Sequence, residues 1–384
     1  MAQVISSVGT ITNPTGHSQQ TKIIFDGTRF WAFYMKSGTA NTLFYTHSTD
    51  LISWTESSVA LASGTSQDGS NMSVLWDSSN SLVLVSFVAT DSYDYGHYIR
   101  GVISGTSISW GTTDRTISGV TSVQSVIDLI KDSVGYPCSL ADYGTNEHFY
   151  YASSVLSSTF SAINWTDLNP SGNSGNCKSL KAFALASQHF LLLDKDDDTG
   201  GYACVRSQYW NGSGWSDNPS AIPIYVTAPT DFYFHWDAVR ISDDAVFCCT
   251  KNGASTIALY RTTDQGVNWT ARTAPSWPSS GLAANSEITL CTNGTDIYLV
   301  VIRGDASCSV SYNKYTVASN TWDGWTDLIT GGTQTRKYIN SEWLNGQLVV
   351  LYTQTNGSNY DLTIEKLSSI TITQEGFRFS VQVE

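Results

Sequence analysis

The sequence predicts an all-β chain, folded as a seven-bladed β-propeller of four-stranded antiparallel blades. Three observations carry this reading. Six tryptophans, each inside the same short phrase, recur at spacings of 56, 55, 50, 54 and 56 residues. The phrases are Ser53-Trp54-Thr55, Ser109-Trp110-Gly111, Asn164-Trp165-Thr166, Gly214-Trp215-Ser216, Asn268-Trp269-Thr270 and Gly324-Trp325-Thr326. Apolar runs separated by polar turns recur in the same phase. The composition, 14% charged and 12% aromatic with much Ser, Thr, Asn and Gly, suits sheets joined by polar turns. A fixed period of this length marks a repeat architecture. Such a fold places all 384 residues, 1–384, in one body.

Each repeat follows one order. A first strand ends in a tight polar turn, as in Lys22-Ile23-Ile24-Phe25-Asp26-Gly27 and Ile288-Thr289-Leu290-Cys291-Thr292-Asn293-Gly294. A second, near-continuous apolar strand follows, as in Phe30-Trp31-Ala32-Phe33-Tyr34 and Ile297-Tyr298-Leu299-Val300-Val301; such runs suit strands covered on both faces. A third strand alternates more with polar residues, as in Thr256-Ile257-Ala258-Leu259-Tyr260. The Trp phrase then opens a short fourth strand. First strands are expected to begin near Lys22, Met72, Tyr136, Cys177, Phe234, Glu287 and Lys337, which gives seven blades. The seventh has no Trp phrase, so a terminus must supply its last strand: Val4–Thr12 or Ser369–Gln374. Pairing the two ends closes the ring and removes free edges. The segment Ser122–Asp132 exceeds its counterparts in length and reads as an inserted loop or a helical turn.

Composition narrows the partners. A formal charge of −13 repels phosphate backbones, which argues against nucleic acid. No apolar run is long enough to span a membrane. Met1-Ala2-Gln3-Val4-Ile5 lacks the basic, then apolar, character of a signal peptide. The seven cysteines (138, 177, 204, 248, 249, 291 and 308) have no CxxC spacing, so they read as small buried apolar residues.

Thr262-Thr263-Asp264-Gln265-Gly266-Val267-Asn268-Trp269 resembles the Asp-box, Ser/Thr-x-Asp-x-Gly-x-x-Trp, of sialidase-like propellers. Ser48-Thr49-Asp50-Leu51-Ile52-Ser53-Trp54 is a shorter copy without the Gly. The resemblance implies a structural box of Thr262, Asp264, Gly266 and Trp269 on an outer turn: Asp264 binds backbone N–H groups, Gly266 takes a positive φ and Trp269 packs between layers. It also suggests what a sialidase would need, namely three carboxylate-clamping arginines, a Tyr/Glu nucleophile pair and an acid. Arg240, Arg303 and Arg336 are the arginine candidates, and Tyr338 with Glu342 the pair. The family's first-strand Arg-Ile-Pro has no counterpart in Thr21-Lys22-Ile23-Ile24. Other propeller glycosidases use carboxylates facing the axis, for which Asp77, Asp142, Asp237 and Glu287 are placed on or beside first strands.

Two further constellations stand out. Asp194, Asp196 and Asp198 alternate in an acidic run between two strands and could wrap a Ca2+ ion, although no cofactor is required by this reading. Tyr209-Trp210-Asn211-Gly212-Ser213-Gly214-Trp215 and Trp322-Asp323-Gly324-Trp325 resemble the paired-Trp turns of propeller lectins, with Trp210 and Trp322 as the sugar-stacking candidates. Taken together, the sequence favours a non-catalytic recognition or scaffold protein, virion-borne or extracellular. A phage surface or tail position is the working picture, with a glycan or cell-surface ligand and other virion proteins as partners. The alternative is a glycoside hydrolase of sialidase-like type with carboxylates in the central funnel.

Overall fold

The computed structural model describes residues 2–367 apart from 11–13, 40, 63–71, 90–95, 112–114, 118–124, 144–145, 158–159, 169, 171–178, 186–188, 198–202, 225–234, 243–244, 253–255, 277–285, 305–307, 331 and 333. Seven antiparallel sheets form the blades of a propeller. From the axis outward, blade 1 holds β2 (Ile23–Phe25), β3 (Phe30–Tyr34), β4 (Thr42–Ser48) and β5 (Thr55–Ala60). Blade 2 holds β6 (Met72–Asp77), β7 (Leu82–Val88) and β8 (Gly96–Ser104), with β9 (Ser107–Trp110) and β10 (Arg115–Thr116) both pairing β8. Blade 3 is β11 (Ser125–Lys131), β12 (Pro137–Tyr143), β13 (Asn146–Ala152) and β14 (Trp165–Asp167). Blade 4 is β15 (Leu180–Ala184), β16 (Phe190–Asp197), β17 (Ala203–Trp210) and β18 (Trp215–Ile224). Blade 5 is β19 (Trp236–Ser242), β20 (Ala245–Asn252), β21 (Thr256–Thr262) and β22 (Thr270–Ala271). Blade 6 is β23 (Glu287–Thr292), β24 (Asp296–Ile302), β25 (Val310–Thr316) and β26 (Thr321–Ile329). Blade 7 is β27 (Arg336–Leu344), β28 (Gln347–Asn356) and β29 (Asn359–Leu367), completed by β1 (Gln3–Gly9).

Ring closure therefore uses the N-terminal strand. It lies antiparallel on β29, with Gln3 opposite Ile364 and Gly9 opposite Tyr360. Ser369–Gln374 lies outside the described residues. Second strands are the most apolar because neighbouring blades cover both of their faces. All seven residues of β7 are buried, as are Phe30 to Tyr34 of β3.

Four of the phased tryptophans occupy equivalent places, whereas the Trp325 indole N–H donates to the Ser276 carbonyl beyond β22. Trp110 meets Tyr45 at 5.7 Å between ring centroids, Trp165 meets Tyr98 at 5.7 Å and Trp215 meets Phe149 at 5.4 Å. The Trp269 indole N–H donates to Ser207 Oγ at 3.2 Å. In these four the partner stands on the third strand of the preceding blade. The phrase does not always open a fourth strand, however: Trp110 ends β9, and Trp325 sits within β26.

Blade 3 departs from the sequence reading. The Ser122–Asp132 segment is no insertion, because Ser125–Lys131 is the innermost strand and pairs with Pro137–Asp142. Tyr136 thus precedes a second strand, not a first. The hairpin between them is fastened by Asp132 Oδ1, which accepts the N–H groups of Val134, Gly135 and Tyr136 at 2.7–3.0 Å, with Gly135 at φ 107°. Asp26 fastens the equivalent turn of blade 1 through Thr28 N and Arg29 N, and Asn293 that of blade 6 through Thr295 N and Asp296 N. A short side-chain acceptor after the inner strand is thus a repeated turn device.

Among the described residues, no helix is long and apolar enough to cross a membrane. Cys138, Cys248, Cys249 and Cys291 are free and buried, and Cys308 is half-buried.

Candidate functional site

Inner strands place alternate side chains toward the axis. Here several of those positions are polar, and they meet in one layer. Asp128 on β11 accepts a hydrogen bond from Ser73 Oγ of β6 at 2.9 Å. Lys181 on β15 contacts Asp237 Oδ1 on β19 at 2.7 Å. The other Asp237 oxygen accepts from Leu290 N at 2.7 Å and from Thr289 Oγ1 at 3.1 Å, both on β23. Thr289 and Ser341 hydroxyls lie 3.2 Å apart, and Thr21 Oγ1 donates to Glu342 Oε1 at 3.2 Å. These bonds join blade 2 to blade 3, and they run from blade 4 through blades 5, 6 and 7 to the start of blade 1.

These strands enclose a cavity of about 590 Å³, whose lining includes Asp128, Lys181, Arg240, Cys291, Glu342 and Trp343. Its floor is the segment that leads from β1 into blade 1, buried from Pro14 to Gln20. Thr15 Oγ1 donates to the Tyr338 carbonyl at 3.2 Å, and Asn340 Nδ2 donates to the carbonyls of Ser18 and Gln20 at 3.2 and 2.6 Å. Gln19 Nε2 donates to the Trp236 carbonyl on the far blade. Lys131, Arg240 and Trp343 stand farther along the inner strands, away from this floor.

Burial sets the electrostatics of the cavity. It pushes the Glu342 carboxyl up to about 7, against the pull of Lys181 and the Thr21 hydroxyl. It pushes Asp128 up to about 6, opposed by Lys181 and Ser73. Asp237 is raised by burial too, with Lys181 and two backbone N–H groups working against the rise. For Lys181, burial is unfavourable to the charge, but Asp237, Glu342 and Asp128 outweigh it and raise the pKa. One ammonium thus faces three carboxyl groups. Asp237 is its direct partner; Asp128 and Glu342 are left to exchange protons near neutral pH.

The sequence candidates are dispersed. Asp237 is at the axis, but its oxygens are fully engaged in holding Lys181 and β23. Glu342 and Arg240 line the cavity. Glu287 accepts the Ile339 N–H at 3.1 Å, a bond between blades 6 and 7. Arg303 pairs with Asp327 on β26 at 2.6 Å, and Arg336 Nη1 donates to the Cys308 carbonyl at 2.8 Å. The three arginines therefore do not converge on one carboxylate. Tyr338 sits at φ 59° in a bulge of β27, four residues before Glu342. Asp77 contacts Lys131 at 2.8 Å. Asp142 belongs to β12, a second strand, and so leaves the axis.

The acidic run is not a loop at its start: Asp194 and Asp196 are residues of β16, opposite Arg206 and Cys204, and Asp198 lies outside the described residues. No group of three or more His, Cys, Asp or Glu side chains suited to a metal occurs among the described residues. Trp210 is half-buried against Trp215, with ring centroids 5.5 Å apart. Trp322 is half-buried on Tyr315, and its indole N–H donates to the Thr273 carbonyl at 2.7 Å.

At the outer turn of blade 5, Asp264 Oδ1 accepts Asn268 N at 2.9 Å and Thr262 Oγ1 at 2.8 Å. Gly266 adopts φ 85°, and a Cβ there would stand 2.7 Å from Leu191 Cδ1.

Sequence reasoning missed Asp128 and Lys181. Asp128 was hidden in the segment read as an insertion. The signal that would have found it is Asp132-Ser133-Val134-Gly135, which repeats the Asp turn that follows other inner strands.

No family model matches the chain, and no curated protein matches its sequence. Solved structures do. A PL25 polysaccharide lyase, an ulvan lyase, superposes with a TM-score of 0.61 at 10% identity, with 94% of each chain covered. A second polysaccharide lyase, Uly1, gives a TM-score of 0.58 at 9% identity, covering 96% of this chain and 98% of that one. Trypanosoma rangeli sialidase in complex with sialic acid gives 0.50 at 12% identity, covering 96% of this chain but 59% of the sialidase. The fold is the sialidase-like β-propeller. At these identities the likeness carries the fold. It also corrects the expectation of a non-catalytic virion scaffold, because the propellers matched along their length are glycan-processing enzymes.

Proposed function

We propose that this propeller is a glycan-processing enzyme that works in the axial cavity, with Glu342 as the proton-transferring residue and Asp128 as the second carboxyl. The observation that carries this is the pair of carboxyl groups held near neutrality, Glu342 at about 7 and Asp128 at about 6, in a cavity of about 590 Å³. An acid or base is most effective when its pKa lies near the working pH. Cleaving a glycosidic link needs a proton delivered to the leaving oxygen and a second group to activate water or stabilise the charge. Lys181 shapes both pKa values, and Asp237 positions Lys181. The names of the structural relatives, polysaccharide lyases and a sialidase, support a glycan as substrate.

Elimination is the second reading. A lyase removes a proton beside a uronate carboxylate, and cations must hold that carboxylate. Arg240 and Lys131, the latter paired with Asp77, line the same cavity and are the cations this reading would use.

Incubation with a panel of neutral and uronate-containing polysaccharides separates the readings. Hydrolysis releases reducing ends alone; elimination also creates an unsaturated uronate that absorbs in the ultraviolet. Glu342→Gln abolishes either product. If no polysaccharide in the panel is cleaved, or if Glu342→Gln cleaves as well as the parent, the proposal is wrong.

A further inference from the structure

A second cavity, of about 560 Å³, lies between blades 6 and 7. That is the size of an ordinary small-ligand pocket, ~300–1,000 Å³. It shares one wall with the axial cavity, since Trp343 borders both. The Trp343 ring is backed by Tyr298, stacked at 4.7 Å between centroids and 24° between planes. Tyr298 is nearly buried and fixes the platform, whereas Trp343 and Tyr312 are half-exposed beside it. Tyr312 follows at 6.4 Å from Tyr298. A half-buried indole and phenol at a shared wall are surfaces on which the C–H face of a pyranose packs.

The polar groups around this platform select the sugar. Lys314 Nζ lies 3.1 Å from Asp323 and 3.8 Å from Asp296, and Asp323 is exposed. One ammonium is thus outnumbered by two carboxylates. An acidic sugar would meet net repulsion, whereas the hydroxyls of a neutral one can donate to Asp323 and accept from Lys314.

We infer that the groove between blades 6 and 7 is a saccharide subsite for a neutral pyranose, belonging to the same glycan chain whose link is cleaved in the axial cavity. The second clause rests on the proposed function; the subsite itself does not. The groove contributes binding and places the chain so that the next units pass Trp343 into the cavity.

Cellohexaose, xylohexaose, mannohexaose and laminarihexaose titrated into the full chain, followed by calorimetry and tryptophan fluorescence, test this. At least one is expected to bind. Tyr312→Ala and Asp323→Ala each weaken that binding about tenfold or more, the loss of roughly one stacking or charged hydrogen-bond contact. Asp323 is exposed, so its variant keeps the fold. Absence of binding by all four, or undiminished binding by both groove variants, overturns the inference even if polysaccharide cleavage is found. Groove-dependent binding in a chain that cleaves nothing upholds the subsite and removes only the catalytic reading.

Discussion

The outer turns and the axis of this propeller use the same functional group to opposite ends. At the rim, Asp50 accepts the N–H groups of Ile52 and Ser53 and the Ser48 hydroxyl, and these bonds hold its carboxyl down at about 2. Burial pulls Asp264 upward, but Asn268 and Thr262 outweigh it and keep that carboxyl below the ordinary range. At the axis, Asp128 and Glu342 have fewer donors and are drawn in among the inner strands, and they rise to about 6 and 7. The difference teaches that donor count and solvent, not residue type, divide fastening carboxylates from proton-exchanging ones.

The comparison breaks most sharply at Glu342. Glu342→Gln is expected to lower glycan cleavage by roughly 10²–10⁴-fold, the usual worth of a positioned acid or base, while circular dichroism stays unchanged. Asp264→Ala should leave the cleavage rate as it was. An equal loss in both variants would erase the distinction between rim and axis.

Lys181→Met tests the axial charge balance. It leaves Asp237 buried without its cation and should cost about 3–5 kcal/mol of stability in urea titration. A neutral outcome would mean that Asp237 is satisfied by β23 alone.

At the rim, Gly266→Ala forces a methyl toward Leu191 at a positive φ. A loss of about 1–3 kcal/mol is expected, with the cleavage rate retained. Asp50→Ala should weaken its turn by a smaller amount, read as a lowered melting temperature.

The pH dependence of stability differs in sign between the two regions. Glu342 and Asp128 bind protons more tightly when folded. Their contribution is present at low pH and is lost as pH rises from 4.5 to about 7 for Glu342, and from 3.8 to about 6 for Asp128. Asp50 binds its proton less tightly when folded, so its contribution is present above 3.8 and is lost as pH falls toward about 2. Relative to the parent, Glu342→Gln should therefore gain stability above pH 7, on the order of 1–3 kcal/mol, and none at pH 4. Chemical denaturation at the two pH values measures this.

Much of the fold was legible because its signals are local. A tryptophan must recur where each blade meets the last one, and Trp110, Trp165, Trp215 and Trp269 do so against third-strand residues. Blade 3 was misread because Ser125–Lys131 carries Asp128 and Lys131 among its apolar residues, and the acidic turn after it was not matched to Asp26. The candidate site was less legible. Glu342, Asp237 and Arg240 were singled out, yet their roles could not be assigned, and Asp128 and Lys181 were not seen at all.

Period, blade count and the need for a terminal strand to close the ring follow from the chain alone, since they depend on residues close in sequence. Tertiary structure alone decided which terminus closes it, with β1 on β29, and which charges share the axis. Lys181 and Asp237 stand on different blades, as do Thr21 and Glu342. Their pKa values arise from burial by every inner strand at once. No stretch of sequence contains that environment; it exists only when the ring is closed.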